Sequence, residues 1–147
     1  MIALDPENPI VKLCVAGMRA EGEGRLDEAA ELFRQAWAAR QDDLEACIAA
    51  HYVARHQATP EAALRWNEEA LARAEAVAGE RVQGFYASLY LNLGHSHEEL
   101  GHTAGARRFY DLAAGQLDKV PAGRYGDVVR GGIEHGRLRV GDDRPQT

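Results

Sequence analysis

Six histidines are the residues best suited to chemistry in this chain of 147 residues. An imidazole can hold a metal, move a proton or change charge near neutral pH. Each task needs partners at a suitable spacing. His95 and His97 are two apart, so on a helix they point to different faces, whereas chelation from one helix wants positions i and i+4. His51 and His56 are five apart, again a poor geometry, while His102 falls in a turn and His135 in the last helical stretch. Cys14 and Cys47 form neither a disulfide framework nor a metal motif, and read as small apolar residues in helices. No H-E-x-x-H, no G-x-x-x-x-G-K-[ST] phosphate loop and no G-x-S-x-G elbow occurs. Gly22-Glu23-Gly24 lies between two helical stretches instead of after a strand, and Gly131-Gly132 lies inside one, so neither is a cofactor loop. These residues predict no catalytic group, no metal and no cofactor.

Composition narrows the alternatives. Hydrophobic residues make up 46% and charged residues 27%, a globular balance with enough apolar material for one continuous core. A net charge of -6 disfavours phosphate backbones and anionic membranes, so neither nucleic acid nor a lipid surface is expected as a partner. The apolar runs are too short to cross a bilayer, and the start lacks the pattern of a secretory leader, which makes a cytoplasmic location the expectation.

The elements that must position any site are helical. Leu26–Arg40 places Ala29, Leu32, Phe33, Ala36 and Trp37 on one stripe, and Leu89, Leu93, His97 and Leu100 do the same later. The periodicity predicts helices over 9–23, 26–40, 43–57, 60–78, 81–100, 103–118 and 124–139. No stretch alternates with the period of a strand. Residues 1–8 are expected to be an extended segment, 9–140 a single domain and 141–147 a mobile tail.

A repeat is hidden in the offsets. From Gly17, Gly24 follows at 7 residues, Ala29 at 12, Phe33 at 16 and Ala36 at 19; from Gly94, Gly101, Ala106, Tyr110 and Ala113 follow at the same offsets. A middle copy is anchored on Ala50, with Ala62, Trp66 and Glu69, and carries Thr59-Pro60 as a helix start in place of the turn glycine. A small anchor lets two helices approach closely, a large aromatic fills the groove between them, and glycine frees the bend. His97, in a core column of this repeat, reads as a partly buried residue.

The pattern Gly-x6-Gly-x4-Ala-x3-Phe/Tyr-x2-Ala resembles the tetratricopeptide repeat over about residues 10–118. The resemblance implies an all-α solenoid of about three antiparallel helical hairpins, closed by a C-terminal capping helix. It also implies a concave face lined by first helices and used to bind a protein or peptide. The long stretch Leu71–Gly84 departs from the family's usual spacing and leaves the superhelical pitch open. On the side that the family turns inward lie His51, Tyr52, Arg55 and His56, then Asn92, His95, Glu98 and Glu99. A solvated helix face would look the same. As a groove, the strip would take a partner protein, a peptide or a small polar ligand, with His51 and His95 able to change charge near neutral pH. The alternatives are self-association as a homo-oligomeric structural protein and a small-ligand sensor or enzyme built on the histidine stripe.

Overall fold

The computed structural model describes residues 5–77 and 79–141, and these divide into two compact units at that break. The first unit holds α1 (Pro9–Gly22), α2 (Leu26–Ala39), α3 (Asp43–Val53) and α4 (Pro60–Ala76). The second holds α5 (Tyr86–Glu99), α6 (Thr103–Ala114) and α7 (Arg124–Val140). Short 3-10 turns at Ala54–His56, Gln83–Phe85 and Leu117–Lys119 complete the helical content, and no strand occurs among the described residues.

Local chemistry sets most helix ends. Asn8 caps α1 by accepting from the amides of Ile10 and Val11 at 2.8 and 3.2 Å, with Pro9 in the first turn. Residues 5–8 therefore form a turn tied to the helix, not the extended arm that the sequence suggested. Asp42 and Thr59 cap α3 and α4 in the same way. α1 and α5 end alike. Gly24 and Gly101 adopt φ of 78° and 77°, and the amides of Arg25 and His102 return to the carbonyls of Ala20 and His97 at 2.8 Å. This left-handed closure needs glycine and folds each first helix back on its second. α5 begins at Tyr86, later than its periodicity predicted, because the 3-10 turn containing Gly84 occupies the preceding residues. Ala78, the expected end of α4, and residues 1–4 and 142–147 lie outside the described residues.

Inside each unit the packing follows one plan. α1 and α2 form a hairpin, with α3 resting on both; α5 and α6 form another, with α7 resting on both. Phe33 and Tyr110 are fully buried, as their place in the repeat predicts. A Cβ at Gly17 would stand 2.3 Å from the Phe33 ring, and one at Gly94 would stand 2.6 Å from the Tyr110 ring. The glycines are contact surfaces for the aromatic rings.

The middle hairpin differs from the sequence reading. Trp66, expected to be its buried pin, is only half-buried, and the buried face of α4 consists of Asn67, Ala70 and Ala74. Asn67 follows Phe33 by 34 residues and Ala70 follows Ala36 by 34; counted by that offset, the position that answers to Gly17 is His51 and not Ala50. α3 is covered on two sides, by α2 and α4, so the full burial of Ala50 does not by itself say which face of α3 meets α4. One residue is about 100° of helix, enough to change faces. Trp66 instead points to α2, where it meets Trp37 edge-to-face at 4.9 Å. Arg40 stacks on the same indole at 3.8 Å, and Arg73 bridges from α4 to Asp43 of α3 at 3.1 Å. Cys14 and Cys47 are buried, and burial pushes both thiols up to about 12, which leaves them unreactive.

Candidate functional site

Tyr52, Arg55 and His56 gather at the end of α3 around Glu21 of α1. His56 Nε2 lies 2.7 Å from Glu21 Oε2, and Arg55 reaches Glu21 Oε1 at 3.2 Å. Both rings of the cluster rest on the buried pin: Tyr52 stacks on Phe33 at 5.1 Å and His56 at 5.6 Å. His51 meets Tyr52 edge-to-face at 5.1 Å. Arg55 is exposed, whereas His51, Tyr52 and His56 are half-buried.

His95 and Glu98 gather in the second unit around Tyr110. The Tyr110 hydroxyl donates to Glu98 Oε1 at 2.6 Å, and Arg139 of α7 donates to both carboxylate oxygens, at 2.8 and 3.2 Å. His95 meets the Tyr110 ring edge-to-face at 5.6 Å. Asn92 is half-buried and Glu99 exposed on α5.

The two clusters share a design. Glu21 and Glu98 both stand four residues after the anchoring glycine, beside the aromatic pin, and both receive a cation from the third helix of their unit. A carboxylate in that place neutralises the incoming helix and fixes its register. Sequence reading found Glu98 but missed Glu21, Arg139 and the Tyr110 hydroxyl. The shared offset from Gly17 and Gly94 is the signal that could have revealed Glu21. Arg139 carries no such signal, because the segment between α6 and α7 sets its position.

Electrostatics change the reading of the histidines. Burial, and secondly the Arg55 charge, push His51 down to about 4. Burial and the Arg139 charge also lower His95. His51 is therefore neutral near pH 7, and the expectation that it changes charge there is corrected, while His95 is shifted in the same direction. The Arg139 hydrogen bond holds Glu98 below the usual carboxylate range, while burial and then Glu98 raise Tyr110. His97 stacks flat on Phe109 at 5.2 Å, and its Nδ1 lies 3.3 Å from His102 Nδ1. No group of three or more metal-ligating side chains occurs among the described residues, and no helix among them is long and apolar enough to cross a membrane. No protein-family model, no curated protein and no solved structure matches this chain, so its function must be argued from its own residues.

Proposed function

We propose that this chain is a tetratricopeptide-like binding module whose first helices receive a protein or peptide segment, and that it is not an enzyme. One observation carries the reading: the same hairpin recurs with glycine at the anchor, a buried aromatic pin 16 residues on, and a left-handed glycine at the turn. A repeat built for packing leaves its solvent-facing positions free to vary, and binding is the role such positions serve. In the first unit those positions include the exposed Arg55, in the turn after α3, and the half-buried His51; in the second they include the exposed Glu99 and the half-buried His95 and Asn92 on α5. Neutral histidines offer one donor and one acceptor each, which suits polar backbone or amide groups of a peptide.

The test is capture from the native host with the full chain, followed by reconstitution with the purified partner. Arg55→Ala in the first unit and Glu99→Ala in the second are each expected to weaken reconstituted binding, with the unfolding midpoint kept by Glu99→Ala, whose side chain is exposed. Binding that neither variant changes would overturn the assignment of these positions.

A further inference from the structure

Beyond the strip of first helices, we infer that the groove between α6 and α7 is a docking site for an acidic amphipathic helix of a partner protein. The first unit supplies the precedent. There α4 lies on α3 and reaches α2, filling the space between them with Trp66 against Trp37. In the second unit α7 rests on α5 and α6 as α3 rests on α1 and α2, and Arg139 meets Glu98 as Arg55 and His56 meet Glu21. The place that α4 fills in the first unit is, in the second, a groove lined by Ala114, Leu117 and Leu138 with Arg130, Glu134 and Arg137 along its side.

The details identify the occupant. Trp37 follows the pin Phe33 by four residues, and Ala114 follows the pin Tyr110 by four. Where α2 offers an indole, α6 offers a methyl group, leaving room for a bulky apolar side chain. Leu138, which lines the groove, is 76% exposed, a cost that a covering helix would remove. Along the groove itself Arg130 and Arg137 outnumber Glu134, a local positive excess on a chain of net charge -6. An acidic helix complements it, and α4 itself carries Glu61, Glu68, Glu69 and Glu75 against Arg65 and Arg73. Arg130 donates to the Val120 carbonyl and Arg137 pairs with Asp111, yet a guanidinium has five N–H donors and can receive a further carboxylate.

The probe is a labelled peptide of residues 60–76, stapled between positions 72 and 76 so that it is helical when free. Titrated with the full chain, it is expected to saturate with a Kd below about 100 μM. Ala114→Trp, which gives α6 the indole that α2 has, is expected to weaken binding about tenfold or more, as is Trp66→Ala in the peptide. Leu138→Ser is the second variant, since an exposed side chain places no demand on folding. Arg55→Ala with Glu99→Ala should leave this titration unchanged, which separates it from the strip of first helices. No saturation up to about 1 mM, or equal binding by the Ala114→Trp and Leu138→Ser variants, would overturn the proposal. A dimer in sedimentation that Ala114→Trp abolishes would assign the groove to a second copy of the chain and overturn the partner helix.

Discussion

At the scale of single residues, the glycines that face Phe33 and Tyr110 set the limits of the core. Glycine inside a helix costs up to about 1 kcal/mol against alanine. A methyl group at Gly17 or Gly94 would nevertheless meet a ring at 2.3 or 2.6 Å. Gly17→Ala and Gly94→Ala are each expected to destabilise by about 1–3 kcal/mol despite the gain in propensity, read from urea unfolding. Tyr110 separates packing from hydrogen bonding. Tyr110→Ala should cost about 3–5 kcal/mol, whereas Tyr110→Phe should cost only about 1.5–3 kcal/mol, the net worth of a bond to the ionised Glu98. Acid makes a further test. His51 lies at about 4 in the folded protein against an ordinary 6.5, so the unfolded chain binds its proton more tightly. Its contribution is whole above about pH 6.5 and is lost as pH falls toward 4, by about 1–3 kcal/mol given its partial exposure. His95 acts in the same direction, and Glu98 adds its loss lower, in the carboxylate range. His51→Gln should flatten the stability profile between pH 7 and 5; an unchanged slope would refute the assignment.

At the scale of elements, the outer hairpins were legible and the middle one was not. Gly17 with Phe33 and Gly94 with Tyr110 announce themselves because a small residue and an aromatic at a fixed offset have few other reasons to coincide. The middle pair, His51 and Asn67, belongs to the same positions but shares neither residue type, so Ala50 and Trp66 one residue earlier looked the better match. Periodicity places most helix starts well but misses that of α5 by five residues and the ends of α3 and α6 by four, and it cannot tell which of two buried faces of α3 meets α4. The polar strip was legible as a list of residues, whereas its ion pairs depended on α3 and α7 arriving from further along the chain. The register makes a quantitative claim. Asn67 is buried, so Asn67→Phe alone should cost about 1–3 kcal/mol through overpacking. Adding His51→Gly recreates the pair found in the outer hairpins, and the double variant should recover at least half of that loss. Coupling between the two sites of about 0.5–3 kcal/mol in a double-mutant cycle is the expected result. Additive effects would place the two residues on different faces and return the register to Ala50 and Trp66.

At the scale of the whole molecule, the two compact units differ in how their third helix is supported, and that difference decides what α7 does. α3 is held from one side by α2 and from the other by α4, whereas α7 rests chiefly on α5 and α6, with Arg130 bonded to the Val120 carbonyl before it. Its glycines look like a defect by propensity, yet most of them mark close approaches. A Cβ at Gly132 would stand 2.9 Å from Leu91, one at Gly136 would stand 2.5 Å from Tyr110, and one at Gly126 would stand 2.4 Å from the Pro121 carbonyl. Only Gly131 faces open space. Packing therefore holds the helix, with Val129, Ile133 and Val140 buried against α5 and α6 and Arg139 anchored on Glu98. Ending the chain after Val120 would uncover those apolar contacts and leave Glu98 and the Tyr110 hydroxyl without their arginine. The shortened protein should lose hydrogen-exchange protection throughout α5 and α6, because opening of that hairpin would no longer require α7 to leave first. Gly131→Ala, at the open position, should instead strengthen protection in α7 by recovering up to about 1 kcal/mol of helix propensity. Gly136→Ala should weaken it. If α5 and α6 exchange in the shortened protein as slowly as in the full chain, α7 contributes nothing to the core, and its buried residues and ion pair are incidental to the fold.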